Sequence, residues 1–305
     1  MTSFGRAALV LGVAFALASA PPARAQSVVA VTETLDFDRP ESWGMKYYAS
    51  LALPTSMGAP QPRATGSVEL GFEGSYVPQM SDEQRRIGFN GTKLEDVNKT
   101  SFFGRIRGSV GIGKGLALEL GYTPPVEVGG AKPNILALAL GRAFELSPRW
   151  RLGVRGYGQI GTIEADITCS ADEVAAGGDL QHNPFQCVEP SEDESQQKLI
   201  GLELVAGYDG DSRFKPYLGL GLNYMDLEFQ VNAIYAGGLV EDHNLQLTSG
   251  TTVSATAGLG FEASRSWRVT AELFYSWLSI TRPPSTTSGN EGFLNGRMFV
   301  SYGVR

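Results

Sequence analysis

The sequence predicts an all-β protein: an antiparallel transmembrane up-and-down β-barrel of about ten strands, preceded by a short N-terminal helix and linker. Three observations predict it. Between Ser101 and Tyr302, short segments place apolar residues on one parity and small or charged residues on the other, as in strands with two unlike faces. Beyond the N-terminus, no apolar run approaches the roughly 20 residues of a transmembrane helix. Short connections between the segments alternate with long ones.

The N-terminus carries the features of an export signal. Arg6 precedes an apolar run, Ala7 to Ala20, which is followed by Pro21-Pro22 and Ala23-Arg24-Ala25. An apolar run of this length before an A-x-A pattern is typical of a cleaved signal peptide, and it is too short to span a bilayer stably. We therefore predict a signal peptide at 1–25.

Composition excludes several classes of protein. The chain has 38 Gly, 10% aromatic and 19% charged residues, which fits neither a long helical protein nor a disordered one. Without Arg6 and Arg24, 23 basic residues face 32 acidic ones, so the net charge is 23 − 32 = −9. A chain this acidic gives no indication of a nucleic-acid partner.

Ten segments have the pattern of strands. They lie at 66–77, 101–112, 116–124, 134–146, 150–166, 197–209, 214–230, 250–263, 267–281 and 294–304. The links at 113–115, 147–149, 210–213 and 264–266 are short, whereas those near 78–100, 125–133, 167–196, 231–249 and 282–293 are long and polar. Short turns on one side and long loops on the other are typical of a barrel with periplasmic turns and extracellular loops. Because ten is even, both chain ends are expected on the periplasmic side.

The two parities predict a lipid face and a lumen face. The lipid face carries apolar residues such as Leu138, Leu220 and Val300, and Arg142 is the one charged exception, placed near a strand end where it can snorkel. The charges of the opposite parity predict a network across the lumen: Arg105, Arg107, Glu119, Glu145, Arg151, Arg155, Glu203, Glu262, Arg268, Glu272 and Arg297. In a lumen of this size, such charges are expected to pair with one another and leave little open path.

Aromatic residues and turn sequences support the hairpin pattern. Six aromatic residues near strand ends predict girdles at the two membrane interfaces: Tyr122, Trp150, Tyr224, Trp267, Tyr275 and Trp277. The turn sequences 144–152 and 261–269 are similar, each with Phe and Trp on the lipid parity and Glu and Arg on the lumen parity. They predict an inward pair beside each turn, Glu145 with Arg151 and Glu262 with Arg268.

Over about 66–305 the pattern resembles a bacterial outer-membrane β-barrel protein of the ten-strand size class. The resemblance implies a location in the outer membrane of a Gram-negative bacterium, contact with lipid and lipopolysaccharide, and insertion by the barrel-assembly machinery. Such barrels commonly end on an aromatic residue, whereas this chain ends Tyr302-Gly303-Val304-Arg305. The departure concerns the terminus and not the barrel. The domains expected are the signal peptide at 1–25, a periplasmic helix and Pro/Gly-rich linker at 26–65, and the barrel at 66–305.

The segment before the barrel has two interpretations. Asp38-Arg39-Pro40-Glu41 resembles a helix N-cap with Glu at the third helical position, and apolar residues then follow at helical spacing until Pro54. We predict a short amphipathic helix at about 40–52, which either plugs the lumen or lies on the periplasmic leaflet. The alternative is a strand over 45–53, which would need a further partner to keep the strand number even.

The only two cysteines, Cys169 and Cys187, lie in the acidic third long loop. Because the exported compartment is oxidising, we predict a disulfide, worth roughly 3 kcal/mol in the chain-entropy model. The acidic residues of this loop suit either a divalent-cation site bridging to lipopolysaccharide or a solvated surface, and the solvated surface is favoured. We expect no cofactor and no metal.

The fourth long loop is expected to extend above the membrane. The apolar parity switches near Tyr224-Met225, and Ala236-Gly237-Gly238 is expected to close a hairpin there. Glu241-Asp242-His243 resembles the His–Asp pairing of the omptin proteases, but neighbouring residues of a strand point to opposite faces, so Asp242 is poorly placed to orient His243. No serine-nucleophile signature accompanies the other histidine, His182.

These observations favour a barrel that is not an enzyme. The first hypothesis is a narrow, charge-networked lumen with a structural or small-solute transport role. The second is a surface recognition or adhesin barrel that binds an extracellular ligand through loops 167–196 and 226–250. The third is a loop-sited hydrolase of omptin type that uses His243.

Overall fold

Ten antiparallel strands form one closed sheet in the computed structural model, which describes residues 27–304. Each strand pairs with the next along the chain, and the last pairs with the first. The strands are β1 (Val68–Tyr76), β2 (Phe102–Gly113), β3 (Leu116–Thr123), β4 (Ala131–Ser147), β5 (Trp150–Ala165), β6 (Asp193–Tyr208), β7 (Phe214–Gln230), β8 (Leu245–Glu262), β9 (Trp267–Trp277) and β10 (Phe293–Val304). The predicted fold class and all ten strands are confirmed. The predicted signal peptide, 1–25, lies outside the described residues.

Within residues 27–304, four helices and eight short strands are not part of the barrel wall. The helices are α1 (Pro40–Leu51), α2 (Asp82–Arg85), α3 (Gly88–Gly91) and α4 (Ala171–Ala176). The short strands are Ser27–Val29, Thr32–Thr34, Arg86–Ile87, Lys93–Leu94, Ala233–Tyr235, Val240–Asp242, Ser279–Ile280 and Gly289–Asn290. Between residues 27 and 304, the chain contains no helix with the length and apolar character needed to cross a bilayer.

Strand parity divides the wall into the two expected faces. Leu202, Leu218 and Leu220 on the outside are each at least 60% exposed, although they are large and apolar. On the inner parity, Arg105 and Glu73 are at most 1% exposed. A soluble barrel would have the reverse distribution, so the apolar outer band marks a surface that faces lipid.

The connections give the barrel two different ends. Tight turns such as Lys114-Gly115, where both residues have a positive φ, join strands at what we call the short-turn end. The long connections gather at the opposite, long-loop end. There the predicted hairpin forms, with Ala233–Tyr235 antiparallel to Val240–Asp242.

The chain before the barrel enters at the long-loop end. Ser27–Val29 pairs in parallel with Val240–Asp242, and Thr32–Thr34 pairs in parallel with Leu245–Leu247 at the outer end of β8. The segment then runs down through the lumen and reaches β1 at the short-turn end. The expectation that the chain before the barrel lies at the end of the short turns is therefore wrong, because this segment lies at the long-loop end and in the lumen. An even number of strands places the start of the first strand and the end of the last strand at the same end of the barrel. It does not determine the path of the chain that precedes the first strand.

Candidate functional site: the plugged lumen and the loop assembly

Helix α1 lies inside the barrel, and this confirms the first of its two predicted positions. Pro40 stands in the first turn, where its missing N–H removes no intrahelical bond. The predicted side-chain cap at Asp38 is wrong, because Arg39 occupies the N-cap and makes no side-chain capping bond. The helix is not amphipathic in its setting, since every residue but Tyr48 is buried. A helix surrounded by a barrel wall has no solvent face.

The upper part of the helix is fixed to the long-loop end. Trp43 Nε1 donates to the carbonyl of Glu291 at 2.9 Å, and Tyr48 Oη donates to the carbonyl of Val97 at 2.6 Å. Tyr47 packs against Phe293 of β10, with the ring centroids 4.7 Å apart. Buried aromatic packing, together with hydrogen bonds from the indole N–H and the phenol O–H, fixes the position of the helix.

Four arginines of the inner wall bind the backbone at the end of the helix and directly after it. Arg107 Nη2 donates to the carbonyl of Thr55 at 2.7 Å, and Arg155 Nη1 donates to that of Pro54 at 2.5 Å. Arg105 and Arg297 complete the set; their acceptors are the carbonyls of Ala52 for Arg105, and of Ser50, Leu51 and Leu53 for Arg297. The last carbonyls of a helix have no intrahelical partner and carry partial negative charge, so guanidinium groups suit them. We call residues 40–65 the plug and these four residues the arginine clamp.

Carboxylates of the wall pair with two arginines of the clamp, Arg107 and Arg155. Glu119 accepts from Arg107 at 3.1 Å and from Arg155 at 3.0 Å, so one carboxylate serves two arginines. Glu73 pairs with Arg107 at 3.1 Å, and Glu203 pairs with Arg155 at 3.3 Å. Buried charges are costly when alone, and here each arginine has a carboxylate, a carbonyl or both. The lumen is thus filled by chain and paired charge.

Below the clamp, the plug presses closely on the wall. Pro60 lies against the inner faces of β5 and β6, where a Cβ on Gly153 or Gly207 would come within 2.9 Å and 2.7 Å of its ring atoms. Only glycine leaves room for the plug at these two positions. At the bottom, Arg63 forms an ion pair with Glu69, which also pairs with Arg268 at 2.6 Å.

Two predicted ion pairs beside the short turns are wrong. Glu145 faces Arg151 in the ladder, but Arg151 bonds Asp209 at 2.6 Å instead and Glu145 is exposed. Glu262 faces Arg268 in the same way, yet the partner of Arg268 is Glu69. The reason is that facing residues of a twisted sheet are only one of several neighbours within reach of a long side chain. A carboxylate from the next turn or an adjacent strand lies closer.

The remaining lumen charges lie where strand parity places them. Arg105, Arg107, Arg155, Glu203, Glu272 and Arg297 are all buried on the inner face, and Glu119 is half-buried. Glu272 accepts from Thr55 Oγ1 at 2.7 Å and from Tyr217 Oη at 2.8 Å. Sequence reasoning missed the plug as a partner of these residues. Parity reveals which side chains point inward but not which distant segment they meet.

At the short-turn end the lumen opens into a vestibule of about 680 Å³. Its lining includes Gln61 and Arg63 of the plug together with Glu262 and Arg268 of the wall. The lower part of the plug therefore closes the inner side of the vestibule and separates it from the long-loop end.

The loops of the long-loop end form one assembly. Cys169 and Cys187 form a disulfide, as predicted, and pack with Val231 and Ala233 of the hairpin. Asp193 joins the same parts: its carboxylate accepts from the backbone N–H of Thr168 at 2.6 Å and of Asn232 at 2.9 Å. We call residues 166–192, 231–244 and 27–34 together the loop assembly. It is held by a covalent bond, buried apolar contacts and strand pairing.

A cavity of about 210 Å³ lies under the loop assembly, at the top of the plug. Met45 and Phe229 supply apolar walls, whereas Arg39, Glu95 and Asp242 supply charge. Burial raises the pKa of Glu95 to about 7, although Lys93 at 2.5 Å favours its charged form. The loop assembly thus covers the outer mouth of the barrel and leaves a cavity beneath it.

The histidines of the loops are placed as follows. His243 Nδ1 lies 3.0 Å from Asn232 Oδ1, and its Nε2 lies 2.9 Å from Glu241 Oε1. Asp242 contacts Tyr235 Oη and the backbone N–H of Asn244, so it does not orient His243, as expected from strand geometry. Sequence reasoning named Glu241 but did not predict its contact with His243, although residues two apart in an extended chain lie on the same face.

Aromatic residues form pairs at both edges of the apolar band. At the short-turn end, Trp150 meets Tyr208 edge-on at 5.6 Å and Trp267 meets Tyr302 at 5.2 Å. Toward the long-loop end, Tyr275 and Trp277 make a T-shaped pair at 4.6 Å, while Tyr122 and Tyr224 are exposed on the outer face. Arg142 is exposed near the short-turn end, with its guanidinium carbon 5.0 Å from the Phe144 ring centroid. Such belts mark the two membrane interfaces.

A closed antiparallel barrel with an apolar outer band, aromatic belts and one end of long loops defines a class: the chain is a bacterial outer-membrane β-barrel protein. No known protein family and no curated protein matches the sequence.

Solved structures that are similar to the chain are barrels of this class. The outer membrane protease OmpT from Escherichia coli shares 11% identity over 78% of this chain and 92% of its own, with a TM-score of 0.39. The translocator domain of the autotransporter NalP from Neisseria meningitidis shares 12% over 81% and 90%, with a TM-score of 0.40. Ail, the attachment invasion locus protein of Yersinia pestis, shares 10% over 79% and 100%, with a TM-score of 0.30. Likeness at this level concerns the barrel fold alone.

The path of the N-terminal segment leads to a topology prediction. A cysteine at Ser27 should react with a membrane-impermeant maleimide on intact cells, because Ser27 pairs with the loop assembly. Asp211, exposed in a short turn, provides the control: Asp211→Cys should be labelled only after the outer membrane is permeabilised. The two native cysteines are joined in a disulfide and leave no competing thiol. Labelling of Ser27→Cys only after permeabilisation would place the segment on the periplasmic side after all.

Proposed function

We propose that the protein is a closed outer-membrane barrel that excludes large solutes and acts at the cell surface as a recognition protein, through its loop assembly. The observation that carries this proposal is the plug. Four inward arginines bind consecutive backbone carbonyls between Ser50 and Thr55, so the part of the lumen that a porin keeps open holds protein here.

The loop assembly supports a surface role. A surface that binds a partner gains affinity when its loops are ordered before binding, because less conformational entropy is lost. Here the disulfide, the Asp193 contacts and the pairing of Ser27–Val29 with the hairpin order the loops in advance. Loops 167–196 and 226–250 supply most of this surface, and they are the segments that we propose to contact an extracellular ligand.

Small-solute transport is the second candidate. The vestibule of about 680 Å³ favours it, because a solute from the periplasmic side can reach Arg63 before it meets the plug. Passage would then need movement of the plug. All contacts of the plug are non-covalent, so such movement breaks hydrogen bonds, ion pairs and packing contacts but no covalent bond.

We propose that the protein has no hydrolase activity. The ring nitrogens of His243 contact Asn232 and Glu241, and among the described residues no hydroxyl or thiol that it could deprotonate lies within hydrogen-bonding distance of them. His182 is paired through Nδ1 with Asp179 at 2.8 Å, and both side chains are more than half exposed to water. These positions suit solvated loop residues.

Conductance in planar bilayers tests the closed lumen. Purified wild-type protein should show single-channel steps far below those of a wide porin measured in the same salt, because the plug and paired charges occupy the lumen. Small, infrequent steps would favour the small-solute role with a mobile plug. Steady conductance of porin size would contradict the proposal.

A further inference from the structure

At the long-loop end, the barrel wall is incomplete beside its shortest strand, β3. β3 has 8 residues, whereas its neighbour β4 has 17. The β2–β3 ladder ends at Ile106 and Tyr122, and the β3–β4 ladder ends at Thr123 and Ile135. Pro124 and Pro125 follow at once, and a residue without an N–H cannot extend a ladder. The ends of β2 and β4 therefore lie apart with no strand between them.

A cavity of about 240 Å³ occupies this gap. Its floor is the plug helix, through Tyr48, Leu51 and Ala52. Its rim consists of residues on the lipid face that are about half exposed: Phe72, Phe102, Ile106, Val126 and Val128. The cavity is thus bounded by the plug on the inside and opens to the apolar outer surface. It is smaller than the roughly 300–1,000 Å³ of pockets for drug-sized ligands, so it suits one slender alkyl chain.

Unpartnered polar groups stand at the edge of this apolar cavity. Arg105 lines it and is only 1% exposed, and neither Nε nor Nη1 of its guanidinium has a hydrogen-bond partner among the described residues. The carboxylate of Glu73 forms an ion pair with Nη1 at 4.0 Å, which is longer than a hydrogen bond. Thr123, also buried in the lining, has an Oγ1 without a partner in the same part of the chain. Buried polar groups without a partner destabilise the fold, and a ligand oxygen would relieve that cost.

The two groups belong together. Arg105 and Thr123 occupy facing positions, one residue beyond the last β2–β3 ladder pair, and both point inward. Both side chains line the cavity, and a guanidinium and a hydroxyl offer a carboxylate charge-assisted and neutral hydrogen bonds. An apolar channel to the membrane with such an anchor at its inner end has the polarity of an ionised fatty acid.

We propose that the gap between β2 and β4 is a binding site for a single-chain amphiphile with a carboxylate head group, the head on Arg105 and Thr123 and the chain directed to the bilayer. The site does not depend on the recognition role proposed above. It also adjoins the cavity under the loop assembly, since Tyr48 and Val97 line both. The hydrogen bond between these two residues separates the cavities.

Photo-crosslinking in lipid vesicles tests the site. The probe is a palmitic acid analogue with a diazirine on its chain, used at a pH where the carboxyl is ionised. The fatty alcohol and a phospholipid with the same diazirine chain are compared. The acid should label cavity residues such as Tyr48, Phe103 and Val126 at about tenfold lower concentration than the alcohol or the phospholipid, since charge-assisted hydrogen bonds form only with the acid.

Four variants make the result decisive. Thr123→Val keeps the side-chain shape and should weaken labelling by the acid several-fold, and Arg105→Gln should abolish the preference for acid over alcohol. Val126→Trp places an indole at the rim and should reduce labelling by every probe. Val253→Trp makes the same change at an exposed apolar site on β8 and should have no effect. Equal labelling by acid, alcohol and phospholipid in the folded wild type, or no labelling within the cavity, would overturn the proposal.

Discussion

The double variant Arg107→Met/Arg155→Met should be less stable than the wild type by several kcal/mol and should conduct ions more readily. Each arginine binds a carbonyl of the plug, and both pair with Glu119. Breaking a buried ion pair from one side costs about 3–5 kcal/mol, because a charge is left without a partner. Since the two arginines share Glu119, their effects should not be additive. Urea titration in lipid vesicles measures stability, and planar bilayers measure conductance.

Two further variants separate loss of the plug from general damage. Arg151→Met makes the same change on β5, the strand that carries Arg155. The ion pair of Arg151 with Asp209 is partly exposed, so this variant should lose about 1 kcal/mol of stability or less and keep the wild-type conductance. Adding Glu119→Gln to the double variant removes the stranded carboxylate, so part of the stability should return while the lumen stays open. A double variant that conducts no more than wild type would mean that the clamp does not hold the plug.

The sequence predicts the wall far better than it predicts what the wall encloses. Alternation is a local property with a period of two, and it locates all ten strands and assigns Arg105 and Glu272 to the inside. The disulfide follows from the compartment, since the chain has only two cysteines. These are inferences over short distances in sequence or from simple counts.

What the sequence does not reveal is contact between distant segments. The carbonyls of residues 50–55 carry no sequence signal, yet four arginines bind them. The parallel pairing of Ser27–Val29 with Val240–Asp242 joins residues over 200 positions apart, in segments too short for alternation to show. The gap beside β3 has one signal, Pro124-Pro125, whose consequence depends on the length of the neighbouring strands.

A charge in the middle of the outer apolar band should be the most damaging single surface change. Leu220 is 60% exposed and lies on β7 between the aromatic residues Phe214 and Tyr224, close to the centre of the band. Leu220→Arg should therefore cost about 2–4 kcal/mol in urea titrations from vesicles, and so should Leu138→Arg on β4. At a soluble protein's surface, an exposed leucine could be exchanged for arginine with little effect.

Position along the same strand provides the control for that loss. Phe214, 52% exposed at the short-turn end, should tolerate arginine at a cost of about 0–1 kcal/mol beyond its lost contact with Phe261, because the guanidinium reaches the interface. Substitution on the inner face should not be mild either, because the plug fills the lumen. Ala139 is 5% exposed and belongs to the buried cluster around the plug, so Ala139→Arg should also be severe, through overpacking. If Leu220→Arg and Phe214→Arg lower the free energy of unfolding by the same amount, the cost does not depend on depth in a bilayer. The assignment of this face to the membrane then fails.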